Sequence, residues 1–192
     1  MNHFVHLYLA RPTVESRVGN LLGDFARGVN TRGLPEEVRE GLDNHRAVDA
    51  FTDAHPEVMA CKTRFSSQRR RFAGIALDIL FDHYLLRHWD RFGHKDNELY
   101  ISELYQDLEA GRELMPDQMR QVVRRMIDYD WFRAYQDLGN VGKAMDRVAS
   151  RIRFPHHFHG VIEEIRPLDS ELEHHFLAFF PDLIEFNRLR HN

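Results

Sequence analysis

Asp78 and Asp82 stand four residues apart in the most apolar stretch of the chain, Phe72 to Trp89. On a helix that spacing sets both carboxylates on one face. Among Ile75, Leu77, Ile79, Leu80, Phe81, Leu85 and Leu86, two like charges are costly to bury unless a cation or hydrogen-bond donors compensate them. A divalent metal is the simplest compensator, and His83, next along the chain, stands within reach at the helix edge. A second group repeats the spacing: His45 and Asp49 are four apart, with Asp53 one further turn along. Neutral imidazole with carboxylate is a usual ligand set for zinc, manganese or iron. Alternatively, the carboxylate orients the second ring nitrogen of a ligating histidine. Asp24 is a third out-of-place acid, in Gly19-Asn20-Leu21-Leu22-Gly23-Asp24-Phe25. The two glycines cost a helix roughly 1 kcal/mol each and leave room for another helix or a ligand to come close. Taken singly, each pair also fits a solvated helix face. Three helices that each carry a misplaced acid make the case for one site.

The elements that must position these residues read as helices. Thr13 caps a helix through Val14, Val18, Leu21, Leu22 and Phe25, with Gly28 as its stop. Pro35-Glu36-Glu37 opens a second helix, with proline and acids in the first turn. Thr52 or Asp53 caps a third, from Pro56 toward Arg69-Arg70-Arg71. Phe72 to Trp89 is apolar on nearly every side, which places it centrally. Further helices fit Asn97–Ala110, Pro116–Ile127, Gly142–Ile152 and Ser170–Arg190, with a shorter one over Phe158–Ile165. No repeat or low-complexity linker divides the chain. The expectation is one all-α domain over residues 1–192, a bundle of about eight helices.

Composition narrows the function classes. Apolar residues make up 43% and charged residues 29%, enough for a globular core. A net charge of −4 disfavours a wholesale nucleic-acid binder. One cysteine, Cys61, excludes an internal disulfide framework and fits a reducing compartment. Leu7-Tyr8-Leu9-Ala10 has no basic leader, and no apolar run approaches a membrane span, so a soluble cytoplasmic protein is expected. Thirteen histidines stand out, but His156, His157, His159, His174 and His175 read as surface or inter-helix residues. No phosphate-binding glycine loop and no nucleophilic serine motif is present. Arg69, Arg70 and Arg71, with Arg64 nearby, form the leading patch for an acidic partner.

Asn2 to His6, Gly19 to Phe25, His45 to Asp53, and Ala76 to His83 through His88-Trp89 together resemble the bacterial acyl carrier protein phosphodiesterase family. His3 stands where an aromatic residue is expected. The resemblance is dense over the N-terminal half and follows helical layout and length thereafter. It implies hydrolysis of the phosphodiester between 4′-phosphopantetheine and a serine of holo-acyl carrier protein, in an HD-like helical fold. Unlike ordinary HD phosphohydrolases, this sequence has no His-Asp doublet; Asp82-His83 has the reverse order. The implied ligands are Asp24, His45, Asp78 and Asp82, with Asp49 orienting His45 or completing the set. His83 is a ligand or general acid, His6 a weaker candidate, and Arg46 a partner for the phosphate. Manganese is the expected ion, with magnesium or iron as alternatives. Arg64, Arg69, Arg70 and Arg71 would steer the acidic carrier protein, with Arg147, Arg151 and Arg153 as a second strip. A nucleotide phosphohydrolase and a non-enzymatic helical binding module are the competing readings.

Overall fold

The structure, a computed structural model, describes residues 1–191. Among them every regular element is helical. The chain runs through α1 (His3–Leu9), α2 (Val14–Leu22), α3 (Glu36–Ala54), α4 (Pro56–Arg64) and α5 (Ala73–Arg87). It continues with a single turn, α6 (Trp89–Phe92), then α7 (Asn97–Ala110) and α8 (Asp117–Asp128). A second single turn, α9 (Trp131–Ala134), leads to α10 (Leu138–Ala149), a third, α11 (Ile162–Ile165), and the long closing helix α12 (Asp169–His191). The expected count of about eight is therefore too low: short turns such as α6 and α9 have no periodicity to betray them.

The most apolar helix is the central one. α5 packs against α1, α4, α10 and α12, and eleven of its residues, from Ala73 to Leu86, are buried. Phe81 meets Phe176 and Phe179 of α12 with ring centroids 5.4 and 5.7 Å apart. α2 and α3 lie closest of all. A Cβ on Gly19 would fall 2.2 Å from the Val38 carbonyl oxygen and 2.9 Å from the Cα of Gly41. Only glycine allows that approach, and it brings the start of the Gly23–Phe25 turn beside α3.

Helix boundaries follow their caps. Thr13 accepts from the Ser16 amide (3.2 Å), as its sequence position predicts. The cap of α4 is His55, whose Nδ1 accepts from the Glu57 amide (3.3 Å), rather than Thr52 or Asp53. α10 begins at Leu138, ahead of the expected Gly142, because Asp137 caps the Asn140 amide (2.9 Å). α2 stops at Leu22 and tightens into a 3₁₀ turn, Gly23–Phe25, before Gly28 is reached.

α1 carries no cap of its own: the Asn2 side chain makes no capping bond. Its first amides are held from outside by α5, where Asp82 accepts from Phe4 N (3.1 Å), Val5 N (2.9 Å) and Asn2 Nδ2 (2.8 Å). Asp82 is fully buried. No helix among the described residues is long and apolar enough to cross a membrane.

Candidate active site

Three elements converge on one cluster. His6 comes from α1, Asp24 from the turn after α2, His45 and Asp49 from α3. One donor atom each of His6, His45 and Asp49 lies within 4.8 Å of the others. Asp49 is the hub: its Oδ1 is 3.1 Å from His6 Nε2 and its Oδ2 3.1 Å from His45 Nε2. Asp24 Oδ1 stands 4.0 Å from the same His45 nitrogen. The two imidazoles stack, centroids 3.7 Å apart. The α-ammonium of Met1 lies 2.9 Å from Asp49 and 3.2 Å from Asp78.

The protonation pattern can be read from the partners. His45 Nδ1 is 2.7 Å from the Asn20 carbonyl oxygen, an acceptor only, so Nδ1 carries the proton and donates it. In the neutral ring, Nε2 is then a lone pair facing two carboxylates. His6 is fully buried; its Nδ1 has no partner, and its Nε2 stands 3.1 Å from Asp49 Oδ1 without hydrogen-bond geometry. Burial pushes its pKa down to about 4, so it is neutral at physiological pH. A buried ring nitrogen left unsatisfied is costly, and a lone pair opposed to a carboxylate is repelled by it. Both costs are relieved by a cation among them. The donor set, two imidazole nitrogens with carboxylates, suits a divalent transition ion, and the Asn20 carbonyl fixes the ring of one ligand as outer partners of metal-bound histidines do.

The electrostatics keep the acids ionised. Burial pulls Asp49 upward, but His45, His6 and the Met1 ammonium outweigh it and hold its carboxyl far below the usual range. At Asp24 burial is likewise outweighed, chiefly by His3, and the pKa sits at about 2. Desolvation would lower the Met1 ammonium, but Asp78 and Asp49 raise it to about 10. Asp78 itself is pushed up, first of all by burial.

His3 Nδ1 pairs with Asp24 Oδ2 at 3.0 Å, and His3 is raised because this pairing outweighs burial. Asp24, held low, contributes stability above its ordinary 3.8 that is lost as pH falls toward 2. His3, held high, contributes stability below its ordinary 6.5 that is lost as pH rises through its raised value. In chelator-treated protein, the melting temperature of wild type minus that of His3→Phe should therefore be greater at about pH 5 than at about pH 8.5. Equal differences at the two pH values would count against the pair.

Gly23 explains why the turn after α2 must be glycine. A Cβ there would lie 2.0 Å from Cδ2 and 2.3 Å from Nε2 of His45. Gly23→Ala should displace the imidazole without removing any polar group. The expected loss is about 10²-fold in kcat/KM, the usual cost of misplacing a site group by about 1 Å. A variant as active as wild type would detach His45 from the chemistry.

Beside the cluster opens a cleft of about 680 Å³. α8 contributes Gln118, Val122 and Arg125, its C-cap Tyr129 lies beside them, and α10 with its following turn contributes Lys143, Arg147, Val148 and Arg151. His3, Asp24, Phe25 and Trp131 line the cleft as well, with the His3 ring stacked between Phe25 and Trp131.

The remaining residues expected at the site go elsewhere. Asp78 reaches the edge of the cluster through the Met1 ammonium, whereas Asp82, one turn on, is spent on capping α1. His83 faces another way: its Nδ1 meets the Tyr135 carbonyl (2.7 Å) and its Nε2 the Arg87 guanidinium (2.9 Å). Arg46 pairs with Asp43 (3.2 Å) on the exposed side of α3, and Asp53 with Lys62 (2.7 Å). The arginine run is held internally. Arg64 pairs with Glu171 (2.6 Å), and Arg69 binds Glu164 (3.2 Å) and the His157 and His159 carbonyls. Arg70 donates to the Thr63 and Phe65 carbonyls, and Arg71 lies over Phe72 and Phe154. Sequence reading gave His6 too little weight and did not single out Lys143 or Arg125.

An all-helical scaffold that sets imidazoles and carboxylates at the edge of a cationic cleft has the parts of a hydrolase for an anionic ester. Comparison with known proteins names the kind. The chain matches the family described as acyl carrier protein phosphodiesterase over residues 1–183, and it belongs to that family. Proteins named acyl carrier protein phosphodiesterase are similar to it along almost their whole length. That of Serratia proteamaculans is 31% identical over 189 residues, covering 96% of each chain. Those of Escherichia coli O6:H1 (31% over 191 residues) and Pectobacterium atrosepticum (29% over 186 residues) also cover 96% of both chains. No solved structure matches the chain significantly.

Proposed function

We propose that this chain hydrolyses the phosphodiester joining 4′-phosphopantetheine to a serine of holo-acyl carrier protein, releasing apo-protein and free 4′-phosphopantetheine. Family membership supports the substrate. The observation that carries the chemistry is the pair of buried imidazoles, His6 with its unsatisfied ring nitrogens and His45, whose Nε2 atoms each stand 3.1 Å from Asp49. His6, His45 and Asp49 would hold one divalent ion, manganese by preference, with Asp24 completing the set and Asp78 at its margin. When bound, such an ion supplies Lewis-acid polarisation of the phosphoryl oxygen and acidifies a water.

The chain's own residues do the rest. The Asn20 carbonyl fixes the His45 ring through Nδ1 and turns Nε2 toward Asp49. Asp49 and Asp24 remain ionised throughout the working pH range: Asp49 is held far below the usual range, and Asp24 sits at about 2, against the upward pull of burial. The His6 ring, kept neutral by burial, does not repel a cation. The cleft next to the cluster receives the arm, with Phe25, Ile79, Val122 and Val148 shielding the phosphate from bulk water.

The finer assignment follows the resemblance: a divergent HD-like hydrolase whose His-Asp doublet is replaced by the His45 and Asp49 pair of one helix, acting as one catalytic domain in the cytoplasm. Incubation with holo-acyl carrier protein and Mn²⁺, followed by mass spectrometry of the carrier, tests the proposal. Loss of the phosphopantetheine mass is expected. An unchanged carrier, together with hydrolysis of free nucleotides, would replace this reading with a nucleotide phosphohydrolase.

A further inference from the structure

The cations of the cleft are distributed in a way that folding alone does not require. Lys143, Arg147 and Arg151 follow one another at four-residue spacing along α10 and the turn after it, and Arg125 faces them from α8. All four are exposed. Lys143 donates to the Asn140 side chain (3.1 Å), and among the described residues none of the four pairs with a carboxylate. Like charges four apart on a helix repel, so Lys143 and Arg147 oppose the stability of α10. Other arginines of the chain are neutralised: Arg64, Arg69, Arg87, Arg133 and Arg188 each hold a carboxylate.

The chain carries a net charge of −4, yet among the described residues the only carboxylate lining this cleft is Asp24, which belongs to the cluster. A concave surface with apolar walls and one sign of charge focuses its potential outward. At about 680 Å³ the cleft is the size of a small-molecule site. A flexible prosthetic arm fits inside it, and a protein does not.

We propose that the face between α8 and α10, through Arg125, Lys143, Arg147 and Arg151, docks an acidic protein surface that surrounds the scissile phosphodiester, while only the arm enters the cleft. This rests on the function proposed above, and it moves docking from the Arg64 and Arg69–Arg71 region to the side of the cluster. The cations guide encounter and set the register of the arm, which makes the association steep in ionic strength.

Charge reversal tests the surface. Arg147→Glu and Lys143→Glu should each raise KM for holo-acyl carrier protein at least about tenfold in low salt, and the double variant further. The fall of kcat/KM between about 50 and 300 mM NaCl should flatten in the same variants. Arg147→Gln, which removes charge without reversing it, should fall between wild type and Arg147→Glu. Arg188→Glu, on α12 and off the cleft, is the control and should leave KM and salt dependence as in wild type. Circular dichroism melts establish that each variant is folded.

Direct binding of fluorescently labelled carrier protein, read by anisotropy, separates the two claims. If wild type cleaves the carrier and reversal leaves both KM and Kd unchanged, the docking face is wrong and the hydrolase stands. If wild type binds the carrier, reversal abolishes binding and no phosphopantetheine is released, docking stands and the hydrolase falls. Absence of both binding and cleavage in wild type overturns both.

Discussion

Asp49→Ala is expected to lower kcat/KM on holo-acyl carrier protein by about 10³-fold or more, about 4 kcal/mol of transition-state stabilisation. Asp49 is the one residue within 3.1 Å of both His6 and His45, and it also holds the Met1 ammonium at 2.9 Å. Truncation removes the carboxylate 3.1 Å from His6 Nε2, and leaves His45 with only Asp24, at 4.0 Å, opposite its Nε2. A divalent ion would lose its most strongly ionised ligand. Metal content, measured by elemental analysis after gel filtration in Mn²⁺, should fall well below one ion per chain. Asp49→Asn separates charge from shape: the side chain keeps its volume, but a neutral amide neither offsets a cation nor matches two lone pairs. It should be nearly as inactive as Asp49→Ala. Activity within tenfold of wild type in either variant would remove Asp49 from the centre.

How far this site was legible depended on whether its determinants were local. His45 and Asp49 share one helix, so four-residue spacing was enough to pair them, and the fold joins them at 3.1 Å. Asp78 and Asp82 have the same spacing, but a turn of helix also separates them by about 6 Å along the axis. At that distance one reaches the cluster and the other the first turn of α1. Of the two compensators that spacing allowed for a buried acid, Asp82 took hydrogen-bond donors. His6 was hard to weigh because α1 has no start signal of its own; its cap lies 77 and 78 residues away in sequence. The partners of the basic cluster were hidden for the same reason. Glu171, which pairs with Arg64, and Glu164, which pairs with Arg69, lie about a hundred positions along the chain, and no local pattern reveals them. The docking stripe was half visible as Arg147 and Arg151. Lys143 lies inside the expected Gly142–Ile152 helix, four residues before Arg147, and extends the same stripe.

Asp82→Ala should be the most destabilising single change at the site, about 3 kcal/mol at neutral pH, or a melting temperature about 10 °C lower. The side chain is wholly buried and serves three donors: two backbone amides of α1 and the Asn2 amide. Alanine strands all three where water cannot replace the carboxylate, and α1 loses its only cap. The charge itself is costly in that position, since burial pushes the pKa up to about 6 against the opposing pull of the Val5 and Phe4 amides. That sets the pH dependence. A carboxyl raised above its unfolded value contributes stability that is fully present below about 3.8 and is lost as pH rises through about 6. The difference between wild type and Asp82→Ala in urea unfolding should therefore be larger at pH 5 than at pH 8. Because α1 also carries His3 and His6, the variant should lose activity even at temperatures where it remains folded, through displacement of imidazoles it does not touch. Melting within about 2 °C of wild type would show that α1 is anchored by its apolar face alone, through Phe4, Val5 and Leu7, and that the carboxylate buried beneath it holds nothing in place.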